Sequence, residues 1–242
     1  MPKSMKALLI VPANNTTMEP EIIALCPELT HVLVARVRRP MRTLSAGDMA
    51  GYGEATIEAV APFLSERPDI VVHGCTAGGF LAGPEGNARI VAELERATGA
   101  PLVSTADAMV EALRHDGVRN TAVVTPYLPS VNDGLTRYVE AGGITVETLA
   151  SFLCETVEAL GAVTEAQVLE KALATVTPQS RALFIACSQL PTLNIIMPLR
   201  ERLGIPVWSS IRATAWAVTR RLAALGHDAP SASRGHAPAL QN

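Results

Sequence analysis

The chain has 242 residues, 48% of them hydrophobic and 18% charged, with a formal net charge of −3. That length and balance exclude a disordered chain and give enough apolar surface for a sizeable core. Near-neutral charge, with no basic tract interleaved with aromatics, excludes a nucleic-acid-binding surface of the usual kind. Aromatics are only 4%, so the core must be built from Ala, Val, Leu and Ile.

In chain order, residues 6–11 read as a first strand. Its apolar run from Ala7 to Val11 stops at Pro12, too short for a signal-peptide core or a membrane span. We therefore expect a cytoplasmic protein. Residues 31–37 read as a strand, 49–65 as a helix, 69–73 as a strand, 87–98 as a helix and 101–104 as a strand. Residues 106–115 follow as a helix, with Asp107 near its start, where a carboxylate complements the helix dipole. The pattern then restarts with a strand at 121–125, a helix at 131–141 and a strand at 145–149. A helix at 165–175, a strand at 182–186, a helix at 193–203, a strand at 206–209 and a helix at 212–225 complete it. Strands alternating with helices predict an α/β fold of parallel sheets covered on both faces.

The second half echoes the first. "LLIVPANN" (8–15) pairs with "AVVTPYLP" (122–129), setting Pro12 against Pro126 at an offset of 114. "IVVHGCTAGG" (70–79) pairs with "LFIACSQLPT" (183–192), setting Cys75 against Cys187 at an offset of 112. "ERATGAPLVST" (95–105) pairs with "ERLGIPVWSS" (201–210), setting Pro101 against Pro206 at an offset of 105. Three anchors in the same order predict two pseudo-symmetric doubly wound parallel-sheet units facing each other across a central cleft. The expected division is 1–117 for the first half and 118–225 for the second, with 212–225 packing back on the first. Residues 226–242, rich in Ala, Pro, Ser, His and Gly, read as a flexible tail.

Four cysteines are scattered along the chain with no CxxC pair, which argues against a zinc or dithiol site. We expect no metal and no cofactor. Cys26 and Cys154 have no equivalent in the other half and read as packing residues. Cys75 and Cys187 stand at equivalent strand ends, so the predicted symmetry sets their thiols against each other across one cleft. Such a pair can move a proton between the two faces of a planar carbon, giving racemisation. Alternatively one thiolate adds to an alkene carbon while the other thiol protonates its neighbour, giving cis–trans isomerisation. Both schemes need a tuned thiol, and backbone N–H groups in the turns after the cysteines can hold a carboxylate or the enediolate derived from it. His73, two residues before Cys75 and on the same face of an extended strand, reads as a core histidine satisfied by backbone, with tuning of the thiol as the alternative. Arg36, Arg38, Arg39 and Arg42 read as a surface loop or as a rim that attracts an anion. That loop and Gly83–Gly86 are candidate moving parts.

Four stretches, "VPANNTTMEPE", "GCTAGGFLAGPEGN", "VVTPYLPSVND" and "ACSQLPTL", resemble the aspartate/glutamate racemase superfamily, in its branch of maleate cis–trans isomerases and arylmalonate decarboxylases. The resemblance spans roughly residues 6–225. It implies Cys75 as nucleophile and Cys187 as opposing acid. It also implies that Asn15 contacts a substrate carboxylate, that Tyr127 hydrogen-bonds the substrate, and that Thr76, Ala77 and Ser188 add backbone or hydroxyl contacts. The decarboxylases carry glycine in place of Cys75, which points this chain toward isomerisation. The isomerases carry an asparagine near Val157, where valine suits an apolar substituent. The implied function is cofactor-independent isomerisation of a small carboxylate or dicarboxylate, with maleate to fumarate first. An amino-acid or hydantoin racemase, an arylmalonate-type decarboxylase and a non-catalytic small-acid binding protein are the alternatives. A homodimer or homotetramer is expected.

Overall fold

The computed structural model describes residues 5–38 and 51–226. The strands are β1 (Met5–Pro12), β2 (Leu29–Val37), β3 (Ile70–His73), β4 (Leu102–Ser104), β5 (Asn120–Thr125), β6 (Thr145–Ser151), β7 (Leu183–Ile185) and β8 (Val207–Ser209). They form two four-stranded parallel sheets, ordered β2-β1-β3-β4 and β6-β5-β7-β8. The expected α/β architecture with two equivalent parallel sheets is therefore the observed one. In β1 every residue of the run Ala7–Val11 is buried, on both faces of the sheet, as a central parallel strand requires, and only Lys6 and Pro12 are half-buried. The edge strand β6 is mostly half-buried and β2 alternates between buried, half-buried and exposed residues, and both carry polar residues such as His31 and Glu147.

The helices are α1 (Met18–Leu25), α2 (Tyr52–Val60), α3 (Thr76–Phe80), α4 (Gly83–Thr98), α5 (Thr105–His115), α6 (Pro129–Ala141), α7 (Val157–Gly161), α8 (Glu165–Thr175), α9 (Ile196–Leu203) and α10 (Ser210–Ala224). Three of them, α1, α3 and α7, are absent from the sequence reading. Each is eight residues or shorter, too short to show a helical period, and α3 contains two glycines. The expected helix 49–65 begins outside the described residues and becomes α2 followed by a 3-10 turn at 61–66. Pro62 has no N–H to continue the α-helical ladder. Helix α9 begins at Ile196 rather than residue 193, because the α8 side chain Glu165 binds the Asn194 main-chain N (2.8 Å) and Nδ2 (3.1 Å). Gly83–Gly86, expected as a moving part, instead forms the first turn of α4. The tail 227–242, with Arg39 and Arg42, lies outside the described residues.

Both sheets reverse direction at their first strand, with β1 between β2 and β3, and β5 between β6 and β7. Crevices at such switch points open beyond the carboxyl ends of the strands, where α/β sheets hold ligands. The segments that leave those ends are 12–17, 74–78, 126–128 and 186–192. Helix α10 follows β8 and packs on α5, α1 and β4, tying the end of the second sheet to the elements around the first. Among the described residues, no helix is long and apolar enough to cross a membrane.

Candidate active site

The four strand ends border one cleft, lined by Pro12, Asn14, Asn15, Cys75, Thr76, Ala77, Tyr127, Leu160, Cys187, Ser188 and Gln189. The structure thus brings together Asn15, Cys75, Thr76, Ala77, Tyr127, Cys187 and Ser188. Val157 is not in the lining. It packs, half-buried, against the core, and Leu160, one turn later on α7, borders the cleft instead.

Cys75 ends β3 and caps α3, with the Gly78 N–H donating to its sulfur at 3.3 Å. A side chain at Gly78 is excluded: its Cβ would stand 2.7 Å from Tyr52 Cε1 and 3.1 Å from Cys75 Sγ. Glycine at 74 is equally required, since a Cβ there would lie 2.5 Å from Met18 Sδ and 3.0 Å from the Ile10 carbonyl. This close approach lets β3 deliver the thiol next to β1.

Cys187 has φ +125°. A residue with a side chain pays about 1–3 kcal/mol to hold such a backbone. The conformation turns the Gln189 N–H toward the sulfur at 3.4 Å. Burial pushes the Cys187 thiol up to about 11, against the Gln189 and Leu190 amides and the Tyr127 hydroxyl, which draw it down. Negative charge on Cys75 adds to the rise. At neutral pH Cys187 is therefore a protonated thiol, and the two sulfurs favour one charge between them.

Tyr127 is fully buried, edge-on to Phe80 at 5.6 Å between ring centroids. Its phenol is raised well above the usual tyrosine value by burial and by the two cysteines, so it stays a neutral donor. The turn that carries it is fixed by Ser151 Oγ and Asn132 Nδ2, both donating to the Tyr127 carbonyl at 2.5 and 3.0 Å.

Asn15 has two functions in one amide. Its Oδ1 accepts from the main-chain N of Thr17 (3.1 Å) and Met18 (3.0 Å), closing the first turn of α1. Its Nδ2 donates to Ser188 Oγ at 3.0 Å, and Ser188 Oγ donates to the Gly74 carbonyl at 2.6 Å. Arg36, exposed near the end of β2 as a surface residue, also braces this turn. It donates to the Asn15 carbonyl at 2.9 Å and pairs with Glu19 at 2.5 Å. Gln189 continues the strap between halves, accepting from Thr16 N at 3.1 Å. Glu21 adds to it by accepting from Thr192 N at 2.8 Å. Gln189, Leu160 and Asn14 are lining residues the sequence reading did not single out. Gln189 had a signal, standing two residues after a singled-out cysteine.

Cys26 donates to the Ala215 carbonyl (3.6 Å), and both Cys26 and Cys154 are buried outside the cleft lining. His73 departs from expectation. It is 1% exposed, yet neither ring nitrogen has a hydrogen-bond partner. Its packing neighbour is Tyr52, at 6.3 Å between centroids. Burial pulls its pKa from 6.5 down to about 4. Between those values the unfolded chain binds a proton that the native one does not, so stability falls as pH falls through that window. A shift from 6.5 to about 4 corresponds to about 3 kcal/mol. His73→Leu is expected to remove this acid limb, and to raise the melting midpoint at pH 7 by relieving two unmet polar atoms. Glu21, raised by burial, works in the opposite direction, so the difference between wild type and His73→Leu in thermal melts from pH 7 to pH 4 isolates the histidine. Parallel curves would refute the assignment.

The family model for arylmalonate decarboxylase matches residues 8–237. The chain belongs to that family. It is 29% identical over 223 residues to the maleate isomerase of Nocardia farcinica, covering 88% of each chain. It is 30% identical over 147 residues to the arylmalonate decarboxylase of Bordetella bronchiseptica, covering 60% of this chain and 61% of that protein. Among solved structures, the Nocardia farcinica maleate cis-trans isomerase in a cysteine-to-serine variant superposes with a TM-score of 0.84 at 25% identity, covering 91% of this chain and 94% of that one. That variant holds a covalently bound succinylcysteine intermediate. The proteins this chain is similar to thus include both a decarboxylase and an isomerase seen with a covalent succinylcysteine intermediate.

Proposed function

We propose that this protein is a cofactor-independent cis–trans isomerase of a small unsaturated dicarboxylate, converting maleate to fumarate through a thioether adduct on Cys75. The observation that carries the reading is the pair of cysteines at equivalent strand ends, both bordering one buried cleft. The similarity to maleate isomerases over most of the chain supports it.

The reaction balances with the residues present. The Cys75 thiolate adds to C2 of the alkene, forming a carbon–sulfur bond as the π pair moves to C3 and its carboxylate. The resulting enediolate takes the Cys187 proton at C3. The C2–C3 link is now a single bond and rotates. Cys187 thiolate then removes a proton from C3, the double bond re-forms, and the Cys75–carbon bond breaks to release the trans isomer. Nothing is oxidised or reduced.

Each side chain has a place in this sequence. The Gly78 amide faces the charge on the Cys75 sulfur between turnovers. Tyr127 and the Gln189 amide stabilise Cys187 after it gives up its proton. Asn15 holds one carboxylate: its Nδ2 has two hydrogens, and its described bond to Ser188 uses one. The turns at Thr76–Ala77 and Ser188–Gln189 supply further neutral donors. Among the described lining residues there is no cation, so the carboxylates are held by dipoles, which a dry site makes effective. Leu160 supplies the apolar side of the cleft.

The test is proton NMR of purified protein with maleate in D₂O. Fumarate is expected to appear, and its absence would overturn the reading. The same samples offer the competing chemistries. Deuterium entering the α-carbon of a chiral amino acid or hydantoin would make the protein a racemase. Loss of CO₂ from an arylmalonate would make it a decarboxylase.

A further inference from the structure

One buried hydroxyl touches the loops of both cysteines. Ser210, fully buried, is the first residue of α10, and its Oγ accepts the Cys187 main-chain N–H at 3.0 Å. The same oxygen accepts the Thr76 hydroxyl at 3.2 Å, and Thr76 directly follows Cys75. The serine is itself held in place. Thr214 Oγ1 bonds its carbonyl at 2.7 Å and reaches Thr105 Oγ1 of α5 at 3.0 Å. Ser209, just before it, caps the helix through the Arg212 N–H. Helix α10 is thus anchored beside the first sheet, while its first hydroxyl holds the active loop of the second.

The bond to the Cys187 N–H bears on catalysis because Cys187 sits at φ +125°. A side chain favours negative φ, so an acceptor must hold that amide where it is. Without one, the loop relaxes and carries the Gln189 N–H away from the sulfur. The other bond fixes Thr76, and with it the turn that follows Cys75.

We propose that Ser210 is a positioning residue for the reaction. Its oxygen locks the two thiol-bearing loops at one separation and holds Cys187 in the backbone conformation that aims the Gln189 amide at its sulfur. The proposal rests on the two-cysteine reading of the site. The repeat supplies its conservative variant, since the residue equivalent to Ser210 in the first half is Thr105.

Ser210→Ala is expected to lower kcat for maleate isomerisation about 10- to 100-fold, since it leaves the buried Cys187 N–H and Thr76 hydroxyl without their acceptor, with KM changed less than about threefold. At a fixed pH below the thiol midpoint, iodoacetamide labelling of Cys187, read by peptide mass spectrometry, is expected to slow about tenfold as its thiolate loses the Gln189 amide. Ser210→Thr should restore both quantities. Unchanged kcat and labelling in Ser210→Ala would overturn the proposal. So would a lower kcat with unchanged Cys187 labelling, since a packing defect alone predicts that result. If Ser210→Ala does not fold, Ser210→Cys keeps the volume, replaces the oxygen with a poor acceptor, and is read the same way. Labelling requires no turnover. If the wild type makes no fumarate but labelling still depends on Ser210, the positioning role stands and the isomerase reading falls.

Discussion

Replacing either Cys75 or Cys187 with alanine is expected to reduce maleate turnover by about 10⁴-fold or more, because each removes a step no neighbour can perform. The two variants should fail differently. Cys187→Ala retains the nucleophile, so water can protonate the enediolate slowly. The adduct then accumulates, because no base remains to take the C3 proton back. Intact-mass spectrometry should show that protein heavier by one maleic acid, with the modification on Cys75. Cys75→Ala should show no adduct. An adduct on Cys187 instead would exchange the two roles, and more than a few per cent of activity in either variant would remove that thiol from the mechanism. The pH profile provides a second check. Cys187 must be protonated to act as acid, and its thiol lies at about 11. Activity should therefore persist into alkaline solution and fall as pH rises through that value.

Asn15→Asp is expected to lower kcat/KM for maleate by about 10²- to 10³-fold, mostly through KM. The substitution is nearly isosteric, and the new carboxyl can still accept from the Thr17 and Met18 amides that Asn15 now serves. Folding should survive, with a melting midpoint within a few degrees of wild type. Binding suffers because a donor becomes an anion facing another anion. At an effective dielectric near 20, two charges about 4 Å apart repel by about 4 kcal/mol, which sets the upper end of the range. Because the loss is electrostatic, part of it should return as pH falls and the new carboxyl protonates. Steady-state kinetics from about pH 5 to 8 would read this. A kcat/KM within tenfold of wild type would mean that Asn15 serves only to cap α1 and hold Ser188.

Much of the fold was legible because parallel strands buried on both faces leave a plain trace. "ALLIV", "IVV" and "LFI" are continuous apolar runs bounded by helix-like stretches, and all three are central strands. The helices that escaped notice are those whose stability is not intrinsic. Segment 76–80 contains Gly78 and Gly79 yet forms a helix, because the Cys75 sulfur caps it and Tyr52 leaves no room for a side chain at 78. His73 shows a different limit. Its alternation on β3 placed it inside, but nothing in the sequence indicated that both nitrogens would go without a partner.

The site divides in the same way. By itself, the sequence singled out the two thiols that border the cleft, since the internal repeat sets Cys75 against Cys187 while Cys26 and Cys154 have no counterpart. The resemblance to maleate isomerases and arylmalonate decarboxylases added Asn15, Tyr127, Thr76, Ala77 and Ser188, all of which line the cleft. Only the tertiary structure decided what holds those strand ends against each other. Arg36 bracing Asn15, Gln189 bonding the Thr16 amide, and Ser210 receiving bonds from both cysteine loops join residues from 21 to 173 positions apart. The Gln189–Thr16 and Ser210–Thr76 bonds cross between the halves and depend on how one sheet is seated on the other, while Arg36–Asn15 and Ser210–Cys187 depend on how strands pack within one half; residue spacing carries no record of either.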